Sequence, residues 1–154
     1  MIHRLQNVFE SFRSHEVKYL VIGGVAAILH GVPRATLDLD ILIEATLDNA
    51  RRLLIAMEEG GLGTASLTTP EELLATEVTI FRDRVRVDVQ TSTPGIEFSS
   101  AWQRRQEMSF HGVRFFVASK EDLIASKEAA GRPRDLEDVR ILRLGKERDT
   151  GAGD

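Results

Sequence analysis

The 154-residue sequence contains no cysteine. A disulfide framework, a thiolate zinc site and cysteine-based catalysis are thereby excluded, and a reducing compartment suits the chain. Long apolar runs are missing too. The stretches around Tyr19 to Ile22 and Gly24 to Leu29 fall far short of the roughly 20 residues that span a bilayer. Met1 to Phe12 mixes Arg4, Gln6, Asn7 and Glu10 among its apolar residues, so it lacks the unbroken apolar centre of a signal peptide. The expectation is a soluble, cytoplasmic protein with no membrane partner. A strong charge of one sign is also lacking: 20 Lys and Arg face 24 Asp and Glu, a net charge of -4. No global field draws in nucleic acid, although a local basic patch would serve for RNA. The chain has no Gly-x-x-x-x-Gly-Lys-Ser/Thr loop, Gly-x-Ser-x-Gly elbow or His-Glu-x-x-His motif, and its four scattered histidines make no zinc pattern.

With 42% hydrophobic and 29% charged residues, the composition is that of a globular chain that buries a core unaided. The length fits one domain, expected over residues 1–144, with a charged, Gly-containing tail at 145–154 expected to be disordered. Ile2, Leu5, Val8, Phe9 and Phe12 fall on one stripe of an opening helix. A strand over Lys18 to Ile22, a Gly23-Gly24 turn and a short helix over Val25 to Leu29 follow. Leu37 to Ile43 alternates and then turns fully apolar, as a strand does when one end reaches a solvent-facing site. A helix is predicted over Leu47 to Glu58, a short strand over Ala65 to Leu67, a helical turn over Pro70 to Ala75 and a strand over Val78 to Phe81. Val85, Val87 and Val89 alternate with polar residues as a half-buried strand, and Phe98 to Arg105 reads as a helix. A hairpin around His111-Gly112 and two helices, Lys120 to Ala130 and one from near Pro133, complete an α/β (α+β) domain.

Side chains two apart on a strand share a face, so Asp38 and Asp40 lie side by side at roughly 6.5 to 7 Å, with Leu37, Leu39 and Ile41 turned away. Paired carboxylates repel when ionised, and a divalent cation that prefers oxygen makes the pairing favourable. Mg2+ or Mn2+ is the natural choice. Asp88 alternates on another strand, and neighbouring strands bring such residues within coordination range. Three carboxylates suit two cations about 3.5 to 4 Å apart, the arrangement that supports in-line displacement at phosphorus. Gly23-Gly24, a close backbone approach before a helix start, offers a place for phosphates, and Arg34 and Thr36 add a cation and a hydroxyl. Each feature also has a plain structural reading. The aspartates suit a solvated edge, the glycines a turn, and Asp88 an anion that neutralises Arg84 and Arg86 on an exposed face. His30, Asp135 and Asp138 suit helix dipoles.

The order of the parts carries more than any one of them. Gly23-Gly24, a short helix, His30-Gly31-Val32-Pro33-Arg34-x-Thr36-x-Asp38-x-Asp40 and a later Asp88 resemble the nucleotidyltransferase superfamily. Within it the chain looks most like the small bacterial proteins grouped with AbiEii-type toxin nucleotidyltransferases, from about Tyr19 to Leu142. Lys127-x-x-Ala130-x-Arg132-Pro133-Arg134-Asp135-x-x-Asp138 is similar to the Lys…Arg-Asp-x-x-Asp motif of those proteins. The resemblance implies the nucleotidyltransferase fold, a mixed β-sheet flanked by helices. It also implies a nucleoside triphosphate held at Gly23 and Gly24, metal on Asp38, Asp40 and Asp88, and Lys127 at phosphate or assisting transfer. An antitoxin partner goes with it. The extra C-terminal substrate region of the larger toxins is missing, which leaves the acceptor open among a transfer RNA end, a protein hydroxyl and a small molecule. Two alternatives stand beside transfer: a catalytically silent nucleotide-binding regulatory or partner-binding module, and an α/β domain that binds neither metal nor nucleotide.

Overall fold

The computed structural model describes residues 2–36 and 38–151. Helix α1 (Ile2–Ser14) forms on the expected stripe and buries Leu5, Val8, Phe9 and Phe12 almost completely. Strand β1 (Tyr19–Ile22) is buried at every residue, as a strand covered on both faces must be. It runs without a loop into α2 (Gly23–Leu29). Gly23, at a left-handed φ of +67°, makes the turn from strand to helix as expected, and Gly24 already belongs to the first helical turn. Strand β2 (Asp38–Ile43) shows the predicted split between half-buried aspartates and buried aliphatics; Leu37, expected to open it, lies outside the described residues. Helix α3 (Leu47–Glu59) starts at Thr46, whose hydroxyl accepts the Asn49 N–H.

A 3-10 turn over Gly63–Leu67 replaces the strand expected at Ala65 to Leu67. Its Leu67 is 81% exposed, and Asp83 caps it by accepting the Gly63 N–H at 3.1 Å. The chain continues through α4 (Pro70–Leu74), β3 (Val78–Arg82), β4 (Arg86–Gln90) and α5 (Phe98–Gln103). The hairpin of β5 (Gln106–Phe110) and β6 (Val113–Val117) comes next. Helix α6 (Lys120–Ala130) ends on Gly131, whose φ of +67° is the left-handed cap that glycine supplies. Helix α7 (Pro133–Gly151) begins two residues later and extends through 145–151, part of the stretch whose composition predicts disorder; 152–154 lie outside the described residues. No helix among the described residues is long and apolar enough to cross a membrane.

The six strands form one sheet in the order β3-β4-β2-β1-β6-β5. It is mixed: β1 pairs parallel with β6 and β2 parallel with β4, while β1 and β2 run antiparallel. One face is packed by α1 and α3 into the main core, with Phe9 stacked on Phe115 at 4.8 Å between ring centres. The opposite face is divided. Leu20, Ile22 and Leu42 pack with Ala101 of α5 in a smaller cluster, closed by Trp102 against Phe116 at 5.2 Å. Phe115 is thus a core residue, while Trp102 and Phe116 pack partly buried against the smaller cluster. Farther along that face β2 presents Asp38 and Asp40, and β4 presents Arg86 and Asp88.

Candidate active site

The β2–β4 register sets Asp40 directly opposite Asp88 and Asp38 opposite Arg86. Because directly opposed residues share a face, the three carboxylates expected from the sequence come together at one end of the sheet. They line a cleft of about 440 Å³ between this face and helix α6. Gly23, Gly24, Arg34, Thr36 and Lys127 line it as well, so all eight predicted site residues meet in one place.

Asp40 is the anomalous member. Among the described residues its carboxylate has neither a hydrogen bond nor an ion pair. Burial, then the charges of Asp88 and Asp38, push its pKa from 3.8 up to about 6. The backbone of Gly23 presses against it: with φ at +67°, a Cβ at this position would run into the Asp40 carboxylate. Glycine is required here on both counts. At Gly24 an added Cβ would come within 3.0 Å of Arg34 Nη2 and 3.4 Å of Thr36 Oγ1. Arg34 and Thr36 therefore lean on the first helical turn, where the leading N–H groups of any helix have no intrahelical acceptor. Thr36 Oγ1 also accepts a long hydrogen bond from the Asp38 N–H, at 3.5 Å.

Arg86 clasps the other two carboxylates. Its Nε and Nη2 donate to Asp88 Oδ1 and Oδ2 at 2.9 and 3.1 Å, and its Nη1 stands 3.7 Å from Asp38 Oδ2. Arg84, the other candidate partner, takes no part; its N–H bonds Asp83. With Asp88 drawn to the guanidinium, no three acidic or histidine side chains among the described residues form a ready-made metal cage. The donor set nonetheless fits a hard divalent cation: all oxygen, negatively charged, with one carboxylate unpartnered between two others. Asp38 and Asp40 would be joined by Asp88 once it is released.

The opposite wall is an ion-pair network. Lys127 is only 5% exposed, and its Nζ lies 2.8 Å from Asp138 Oδ2 and 3.6 Å from Asp135 Oδ1. Arg34 Nη1 approaches the same Asp138 oxygen at 3.1 Å. That oxygen has two cations beside it but no contact of hydrogen-bond geometry, so its pairing is ionic. Arg132 Nε donates to Asp135 Oδ2 at 2.6 Å. Burial pushes the Asp135 carboxyl up, and Arg132 with Lys127 more than offsets it, holding the group below its ordinary value. The helix-dipole account of Asp135 and Asp138 is therefore insufficient, since both are buried partners of Lys127 from α6, joined by Arg132 at Asp135 and by Arg34 at Asp138. His30 is corrected likewise. Its Nε2 lies in hydrogen-bond contact with the Ala118 carbonyl at 2.8 Å, and burial lowers its pKa, so it ties α2 to the end of β6 as a neutral ring rather than meeting a dipole as a cation.

Sequence reasoning did not place Arg86, Gln90, Val78 or Thr93 in the site. The alternation on β4 held a signal, since Arg86 and Gln90 share a face with Asp88. Val78 and Thr93 join only through tertiary packing.

The profile of a family described as nucleotidyltransferase of unknown function (DUF6036) matches residues 3–151. Among curated proteins none matches the chain in sequence. Among solved structures, a candidate nucleotidyltransferase from Thermotoga maritima is similar at a TM-score of 0.57 and 16% identity, over 96% of this chain and 92% of that one. At such identity the likeness shows the fold, a mixed sheet with flanking helices, which is the nucleotidyltransferase fold. The family match spans nearly the whole chain and includes both the strand of paired aspartates and the α6–α7 wall, and the protein accordingly belongs to this family of nucleotidyltransferases of unknown function.

Proposed function

We propose that the protein transfers a nucleoside monophosphate from a nucleoside triphosphate to a hydroxyl of an acceptor, releasing pyrophosphate. The observation that carries this reading is the unpartnered Asp40 carboxylate, opposite Asp88 and against Gly23. An acidic group kept half-buried between two like charges is unfavourable by itself and becomes favourable with a cation. Asp38, Asp40 and Asp88 would hold Mg2+ or Mn2+, which when bound neutralises charge on the transferring phosphate and lowers the pKa of an attacking hydroxyl. The backbone of Gly23 and Gly24 admits the triphosphate close to the sheet. Arg34 and Thr36, in contact with Gly24, bind its terminal oxygens. Asp88 faces the acceptor side and accepts the proton of the attacking hydroxyl, a contribution of about 10² to 10⁴ in rate. Lys127 acts from the wall as a fixed positive charge toward the phosphates.

The acceptor is a cellular hydroxyl in the cytoplasm, an RNA end among them, and the motif order supports kinship with AbiEii-type toxins and their antitoxin partners. Incubating the protein with labelled nucleoside triphosphates and total cell extract tests the proposal. Label should pass to one fraction with Mg2+ present and stop in Asp40→Asn. Full transfer by Asp40→Asn would sink it. A second reading, nucleotide binding without transfer, draws on the Arg86 clasp of Asp88. Triphosphate binding with no pyrophosphate release for any acceptor fraction would favour it.

A further inference from the structure

The carboxylates and Arg86 form a small charge system that is not at rest. Asp38, Asp40 and Asp88 carry three negative charges against the one of Arg86, and the guanidinium spends its fork on Asp88 and its remaining nitrogen on Asp38. Paired Nε and Nη2 donors on one carboxylate are among the strongest hydrogen-bonded arrangements available to a protein. Asp40, left without a partner, attracts a cation, but two of the three carboxylates that would complete its coordination are taken. A lone cation would have to break the fork and leave a guanidinium facing a divalent charge. A triphosphate changes the exchange, because phosphate oxygens offer Arg86 the same two-pronged acceptor that it loses. The side chain is 30% exposed, so solvent, and not core packing, lies beside it. Lys127 cannot make this exchange, being buried between Asp135 and Asp138.

We propose that Arg86 is an exchangeable counter-cation: it occupies Asp88 and Asp38 until a triphosphate takes its guanidinium, so that divalent cation and triphosphate load together. This rests on the nucleotidyltransferase reading of the site and adds to it an order of assembly. Metal alone binds weakly, and the protein does not hold cations idle in the absence of nucleotide.

The test is Mn2+ binding to the metal-free protein, followed by the loss of the free Mn2+ resonance signal, in wild type and Arg86→Gln, with and without inorganic tripolyphosphate. Chelation in solution is the same for both proteins, so the difference between them isolates the contribution of Arg86. In wild type, tripolyphosphate should tighten Mn2+ by about 5- to 150-fold beyond chelation, the ordinary range for coupled sites. In Arg86→Gln, Mn2+ alone should bind more tightly than to wild type, and most of the coupling should vanish. Arg86→Lys, which keeps the charge but loses the fork, should fall between the two and carries the comparison if the Gln variant does not fold. Equal affinity for Mn2+ alone in wild type and both variants would overturn the inference. Mn2+ binding that is absent throughout, or that survives Asp40→Asn undiminished, is a separate result that removes the metal reading itself.

Discussion

Replacing Asp40 by Asn should make the metal-free protein more stable while ending its function. The side chains have nearly the same shape, and the Asp40 carboxylate has no hydrogen bond or ion pair among the described residues to lose. What the substitution removes is a charge held in an unfavourable place. A carboxyl with a pKa of about 6 in the fold, against 3.8 when free, ionises at a cost to the folded state on the order of 3 kcal/mol. The sign follows from the proton balance. The folded state binds this proton more tightly than the unfolded one, so the cost is absent below the unfolded pKa, grows as pH rises between the two values and is complete above about 6. At pH 8 in chelator, Asp40→Asn should therefore gain roughly 2 to 3 kcal/mol, or about 5 to 10 °C in Tm at the 2 to 4 °C per kcal/mol usual for chains of this size. Near pH 4 the two proteins should melt together. Mg2+ together with tripolyphosphate at pH 8 should raise the wild type far more than the variant. Differential scanning calorimetry at both pH values reads all of this. A variant that melts below wild type at pH 8 without metal, or a gap of equal size near pH 4, would refute the reasoning.

Gly23→Ala should lose about 1 to 3 kcal/mol to the left-handed backbone alone, with the contact against Asp40 adding to it. Urea denaturation measures the first effect and a raised Kd for tripolyphosphate the second, and an unchanged urea midpoint would contradict the geometry. Lys127→Met leaves Asp135 and Asp138 buried with fewer cations and should cost about 3 to 5 kcal/mol, the usual penalty for breaking a buried pair. Adding Asp138→Leu should recover part of that loss, and denaturant melts of the double variant showing no recovery would mean that Lys127 and Asp138 are not coupled in stability.

Much of this site can be read from residue spacing. The alternation of Asp38-Leu39-Asp40-Ile41 fixes which side chains share a face before any partner strand is known. Gly131 and Pro133 bracket the α6–α7 join for backbone reasons that are local. Other parts depend on the register between distant segments. That Arg86 rather than Arg84 holds Asp88 follows from where pairing begins: Arg86 is the first residue of β4, in register with Asp38, while Arg84 lies in the bend before the strand, a tertiary outcome. Asp135 suits the first turn of α7 just as it would on an exposed helix, so nothing in the order of residues distinguishes a solvated first turn from one locked onto Lys127. At Ala65 to Leu67 the pattern fits a strand or a 3-10 turn equally well, and the turn is the one held by Asp83, twenty residues on from Gly63.

The pairing of β2 with β4 sets the timing of assembly. These strands are far apart in sequence and meet in parallel, with α3, the 3-10 turn, α4 and β3 intervening, and contacts of this kind form late because a long loop must close before they contribute. A growing chain that has reached β3 already contains Asp38 and Asp40, yet has neither Asp88 nor the Lys127 wall. It can neither complete the carboxylate set nor enclose the cleft. The proposed chemistry would therefore be withheld from nascent and partly unfolded forms, with the finished fold itself as the safety catch.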